Sequence, residues 1–155
     1  MKLDKIDKTI LKYLQEDAHM TSAELASRVK LSASGVQKRL RRLFDSQLVK
    51  NVVAVLNRQE IGYDMLCFMR VMLTGHDSEQ VLKFDREIQK IPEILECHRM
   101  AGDSDYLLKV ILRDRDHLND FLMYKLLSLE CVDRVHTQVV LREVKETTAL
   151  CLAAE

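Results

Sequence analysis

Apolar residues in the first third of the chain recur every three or four positions, in three separate runs. Leu3, Ile6, Ile10, Leu11 and Leu14 form the first, with Asp4 and Asp7 placed to cap and favour its opening turn. Thr21-Ser22-Ala23-Glu24 is a capping box, so a second helix starts there and turns Leu25, Ala26 and Val29 inward. A very short connection, Lys30-Leu31, leads to Ser32, which caps a third helix whose buried stripe is Val36, Leu40 and Leu43. Three short helices with a tight turn before the third predict the tri-helical core of a helix-turn-helix. The β-rich stretch from Leu48 to Leu56 meets itself around Lys50-Asn51, and Asn tolerates the left-handed conformation of a tight hairpin; this predicts a wing.

The rest of the chain alternates strand and helix signals. Residues 62–74 fit a long strand, although Met65, Phe68, Met69 and Met72 also fall at helical spacing, so the pattern leaves both open. A helix from Ser78 to Ile91 carries Val81, Phe84, Ile88 and Ile91 on one face, with Pro92 after its end. Apolar runs at 94–101 and 106–113 flank Gly102-Asp103-Ser104-Asp105 and predict a hairpin. Leu118, Phe121, Leu122, Lys125 and Leu129 mark another helix, and 132–141 is β-rich. With 62–74 as a strand, the order is βαββαβ, a ferredoxin-like sheet with both helices on one face. The expected class is therefore α+β, with a winged helix-turn-helix over 1–56, a hinge at 57–61, a second domain over 62–142 and a tail from 143 to 155.

Charge divides the chain at the same place. The net charge of the 155 residues is zero, yet residues 1–60 hold 12 Lys and Arg against 7 Asp and Glu, and residues 61–155 hold 12 against 17. A basic half joined to an acidic half suggests one polyanion-binding module and one with another task. Residues 25–44 contain Arg28, Lys30, Lys38, Arg39, Arg41 and Arg42 and no acid. No apolar run approaches the roughly 20 residues that cross a bilayer, and the opening MKLDKIDKTI lacks the apolar core of a secretory signal. Cys67, Cys97, Cys131 and Cys151 are far apart and read as reduced thiols of a cytoplasmic protein. No metal or cofactor is assigned.

The outer face of the third helix carries the chemistry. With its apolar stripe buried, Ser34, Gln37, Lys38, Arg41 and Arg42 are exposed, and together with the capping Ser32 they are the candidate contacts to nucleic acid. Gln bonds adenine edges bidentately, Arg and Lys read guanine or hold phosphate, and Ser serves either base. A basic helix face alone is often only a solvated surface; beside a short-turn helix pair and a wing it points to double-stranded DNA.

The order of motifs resembles the leucine-responsive regulatory protein/AsnC family along nearly the whole chain. LDKIDKTILKYLQEDAHMTSAELA is similar to the family's opening, LSASGVQKRLRRL to its recognition-helix stretch, ECHRMAGDSDYLLKV to the signature around the hairpin turn of its second domain, and VVLREVK to its last strand. The resemblance implies a winged helix-turn-helix, a hinge and a βαββαβ sensing domain that pairs into dimers, commonly assembling to octamers. It also implies amino-acid effectors held in clefts between sensing domains, with Gly102, Asp103, Asp105 and Tyr106 bordering the cleft and Gln138 facing it. Carboxylates and backbone groups suit an α-ammonium, and glycine permits close backbone approach. The chain departs from the pattern where Lys30 and Gln47 replace frequent glycines, so those two helix ends are expected to close differently. Ser104 replaces a bulkier residue in the turn, which leaves the effector's identity open.

An enzyme is the competing class, because some proteins of this fold are tetrapyrrole (sirohaem) decarboxylases. The histidines (His19, His76, His98, His117 and His136) are scattered, no catalytic triad order or phosphate-cradling loop stands out, and the basic helix face is intact. The expectation is a regulator, not an enzyme: a homo-oligomer binding DNA and a small amino-acid-like molecule, with no membrane contact.

Overall fold

A computed structural model describes residues 2–75 and 77–152. His76 and the last three positions of the tail lie outside the described residues. The chain divides into two compact units, one running to Val55 and joined by the segment from Lys145 onward, the other spanning Leu56–Val144.

The first unit contains α1 (Lys5–Glu16), α2 (Ser22–Val29) and α3 (Ala33–Asp45). All three begin as the capping signals require. Asp4 and Thr21 each close a capping box, with Asp7 and Glu24 at the third position, and the Ser32 hydroxyl accepts from the Gly35 amide at 3.1 Å. Ile10, Leu25, Val36 and Leu43 are completely buried where the three helices meet. Each such side chain contributes about 1.5–3 kcal/mol by leaving water.

Two expectations for this unit are corrected. Lys30 and Gln47 do not change how their helices close: both adopt the left-handed conformation that glycine usually supplies, at φ 55° and 59°. Each therefore carries the roughly 1–2 kcal/mol steric cost of a Cβ in that region. The wing is absent as a hairpin, since residues 50–57 form no strand. A two-stranded ribbon is marginal without a third strand or a helix to cover it. Here Val52, Val53, Val55 and Leu56 stay exposed, while Val49 packs on the helical core.

The second unit resolves the ambiguity at 62–74 in favour of β1 (Met65–Leu73). It is followed by α4 (Ser78–Ile88), β2 (Ile94–Arg99), β3 (Tyr106–Leu112), α5 (Arg115–Asp120) continuing into a π-helical turn (Phe121–Leu126), and β4 (Val132–Val139). The strands form one antiparallel sheet in the order β2-β3-β1-β4, the βαββαβ arrangement. The molecule is thus α+β: a helix-turn-helix followed by a ferredoxin-like sheet.

Strand alternation sorts the side chains of this sheet. Cys67, Met69, Val71 and Leu73 of β1 and Tyr106, Leu108, Val110 and Leu112 of β3 share a core with Phe84, Ile88, Phe121 and Leu126. The opposite face carries Leu66, Phe68, Arg70 and Met72, flanked by Leu107, Lys109 and Ile111 of β3 and by Arg134, His136 and Gln138 of β4. Cys67, Met69 and Val71 therefore lie beneath the helices, and their neighbours along β1 occupy the opposite face.

Candidate DNA-reading helix and effector turn

Side chains on α3 separate into three groups. Val36 and Leu43 are buried and Leu40 is half-buried against the core. Ser34, Gln37, Lys38 and Arg41 are exposed, and their i, i+3, i+4, i+7 spacing sets them in one stripe across from that core. Between core and stripe stand Arg39 and Arg42, and both turn toward α1. The Arg39 Nη1 donates to Asp7 Oδ1 at 2.7 Å and to Asp4 Oδ2 at 2.6 Å, and Arg42 Nη2 donates to Asp7 Oδ2.

Asp7 is the one charged residue among the described residues that is buried, at 1% exposure. A carboxylate in that position persists because both its oxygens meet a guanidinium. The backbone amide of Asp7 and the guanidinium of Arg39 hold the Asp4 carboxyl below the usual range, and Arg39 is in turn held more firmly protonated by Asp4 and Asp7. Reading Asp7 only as a first-turn acid missed this role. The signal was available: Asp7 stands four residues after Leu3 and three before Ile10, on the apolar stripe itself, where an acid needs a partner.

The basic run of residues 25–44 is thereby partitioned. Arg28 lies over the Tyr13 ring at 4.8 Å, a cation–π contact tying α2 to α1. Arg39 and Arg42 clamp α3 to α1, with Arg42 still half exposed. Among the described residues, the side chains of Lys30, Lys38 and Arg41 make no ion pair or hydrogen bond. Ser32 is committed to capping, and its hydroxyl also lies 3.2 Å from that of Ser34.

The turn between β2 and β3 is built differently. Gly102 and Asp103 are exposed at its tip, whereas Asp105 and Tyr106 are drawn into the fold. Asp105 Oδ2 accepts from the Leu73 amide at 2.8 Å, its own amide donates to Val71 at 3.0 Å, and its carbonyl accepts from the Met100 amide at 2.8 Å. Tyr106 is 2% exposed, its ring 4.5 Å from that of Phe84, and its hydroxyl donates to Asp85 Oδ1 at 2.7 Å. Burial, followed by the Asp85 carboxylate, pushes the Tyr106 phenol well above its ordinary range. Gln138 pairs in register with Phe68, on the opposite face of the sheet from Tyr106, so the structure does not bring those two together within one chain.

Beside the turn lies a cavity of about 20 Å³ lined by Leu73, Gly75, Val81, Arg99, Asp105 and Tyr106. That is room for one water and far short of an amino acid. No group of three or more His, Cys, Asp and Glu among the described residues is arranged to hold a metal ion.

Comparison with known proteins matches residues 3–43 to the AsnC-type helix-turn-helix domain and residues 66–150 to the Lrp/AsnC ligand binding domain. The chain is 40% identical over 145 residues to the proline dehydrogenase transcriptional activator of Rhizobium radiobacter, covering 94% of this chain and 93% of the relative. It is 35% identical over 150 residues to the leucine-responsive regulatory protein of Escherichia coli K12, covering 97% and 92%. Its fold superposes, with a TM-score of 0.94, on a Neisseria meningitidis transcriptional regulator crystallised as an L-Met complex, at 34% identity and with 97% of each chain covered.

Proposed function

The chain belongs to the Lrp/AsnC family of transcriptional regulators, and from that premise we propose that it reads operator DNA with α3 and responds to an amino acid through oligomeric sensing domains. The observation that carries the DNA reading is the exposed Ser34, Gln37, Lys38 and Arg41 stripe on a helix locked to its neighbour from the side. The N-terminal part of such a helix enters the major groove, so Ser34, Gln37 and Lys38 meet base edges. Arg41, a turn further on, meets phosphate or guanine, and the exposed part of Arg42 adds positive potential at the backbone. The protein works in the cytoplasm, where the DNA is, and no helix among the described residues is long and apolar enough to cross a membrane.

The effector reading is supported by the turn at 102–106, by the L-Met complex of the Neisseria relative, and by the uncovered sheet face. That face offers the half-buried Phe68, Met72, Leu107 and Ile111 to a second copy, an apolar surface that a dimer covers. Dimers then assemble further, toward the octamers expected from the resemblance. Since the cavity beside the turn admits only a water, the amino-acid cleft is completed by another subunit. Gly102, Asp103 and the Asp105 backbone form its wall, and Gln138 reaches it from the exposed sheet face.

Selection of bound fragments from random-sequence DNA tests the first half of this reading. Wild type is expected to enrich a two-fold symmetric site, and Gln37→Ala to relax preference at one position of each half-site, a loss of about 1–3 kcal/mol. Thermal shift across the proteinogenic amino acids, L-methionine and L-leucine first, tests the second half. Binding at a hundred times Kd should stabilise the sensing unit by about 2.7 kcal/mol.

A further inference from the structure

The segment following β4 does not end on the sheet. After Val144 the chain rejoins the helix-turn-helix unit, so the two units are connected covalently twice, at Val55–Leu56 and again at Val144–Lys145. The returning segment docks on α1 through paired bonds. The Leu150 amide donates to Gln15 Oε1 at 2.6 Å, and Gln15 Nε2 donates to the Leu150 carbonyl at 3.2 Å. A side-chain amide thereby imitates the reciprocal pairing of two strands. Leu152 packs against the core that holds Ile10, Leu25 and Val36. Thr147 steadies the approach, its hydroxyl accepting from the Ala149 amide at 3.1 Å. Within the second unit, Arg58 joins the two connections, donating to Glu143 Oε1 and, at 2.6 Å, to the Tyr63 carbonyl.

Holding an extended segment costs backbone entropy at every residue, which offsets much of what the docked contacts supply. Such elements open at low free energy and are the ones that switches use. Its upstream end is continuous with β4, the strand that carries Gln138.

We propose that residues 145–152 are a strap that docks on α1 and makes the orientation of the DNA-binding head depend on the sensing unit's last strand. A head held by one flexible connection samples many orientations, and DNA must select among them. A second, docked connection narrows that search and raises the effective concentration of one head once its neighbour has bound. Displacement of β4 would release the strap and lower affinity without touching α3. The inference rests on α3 as the DNA-reading helix, so its test includes a measurement that needs no DNA.

Three full-length or shortened proteins suffice: wild type, Gln15→Ala, and a chain stopping after Val144. Hydrogen exchange should show the Leu150 amide protected in wild type and exchanging about tenfold faster in Gln15→Ala, with α2 and α3 unchanged. Affinity for a mixed-sequence duplex at fixed salt should fall about tenfold in the shortened chain and by less in Gln15→Ala, with assembly size by light scattering unchanged. An unprotected Leu150 amide in wild type would overturn the docking. Wild-type DNA affinity in both variants, or a loss that follows only from a smaller assembly, would overturn the coupling. If wild type itself does not bind duplex DNA, the reading of α3 fails, and a protected Leu150 amide still supports docking of the strap.

Discussion

The recognition helix and the 102–106 turn were both marked by the sequence as binding sites, and the fold treats them in opposite ways. On α3 the functional candidates stand outward while neighbouring residues do the structural work: Arg39 and Arg42 pair with Asp7, and Ser34, Gln37, Lys38 and Arg41 stay exposed. In the turn, the same residues that resemble a ligand site are consumed by the fold. Asp105 secures the end of β1 and Tyr106 completes the core. A helix has a period that divides core from surface, so its structural and functional residues separate. A tight turn has only a few backbone amides and carbonyls, and its side chains satisfy those first.

The largest effect that sharpens this contrast belongs to Asp7, a residue of neither site. Asp7→Ala strips Arg42 of its carboxylate and leaves Arg39 only Asp4, and should destabilise the helix-turn-helix unit by about 2–3 kcal/mol through the charge-assisted bonds lost. Urea unfolding followed by circular dichroism reads it. A loss below about 0.5 kcal/mol, the size of a surface pair, would show that the clamp is decorative.

Next in size is the turn. Asp105→Ala removes the acceptor of the Leu73 amide and should cost about 1–3 kcal/mol, whereas Asp105→Asn keeps an acceptor and should stay near wild type in stability. If the carboxylate charge meets an effector ammonium, calorimetric titration with a stabilising amino acid will show weaker binding in Asp105→Asn alone. Equal affinity would leave Asp105 a purely structural residue.

The buried phenol gives a pH signature. Because the folded-state pKa of Tyr106 lies above its unfolded value near 10, the folded form retains its proton longer, and stability present below about pH 10 is lost as pH rises further. Tyr106→Phe should cost about 1 kcal/mol at neutral pH through the lost bond to Asp85 and flatten that alkaline decline. An unchanged decline in the variant would assign it to other groups.

Smallest are the helix ends. Lys30→Gly and Gln47→Gly remove a Cβ from a left-handed backbone, and each should raise stability by roughly 1 kcal/mol, the steric cost minus the greater chain entropy of glycine. Melting temperatures that fall instead would mean that the lysine or glutamine side chain contributes packing.

What the sequence made legible follows the same division. Capping boxes at Asp4 and Thr21 and the α3 stripe were readable because each is set by residues three or four apart. The Asp7 clamp joins positions 32 and 35 residues apart, and the Gln15–Leu150 pair joins positions 135 apart; neither distance leaves a periodic trace. The strand at 65–73 was ambiguous because both of its faces are apolar. One lies under the helices, and the other is the surface we assign to a second copy. The wing failed for the complementary reason, since local β propensity without a partner strand does not make a sheet.

The central claim is that the basic run divides into a reading face and a clamp. Anisotropy titrations of one duplex over a series of salt concentrations, with Arg41→Ala and Arg39→Ala in parallel, test it most directly. Arg41→Ala should weaken binding and reduce the slope of log affinity against log salt by about one unit, with unfolding unchanged. Arg39→Ala should lower stability by more than about 1 kcal/mol and leave the slope as in wild type. The reverse pattern, with Arg39 setting the salt slope and Arg41 the stability, would contradict the assignment of α3's outer stripe to DNA.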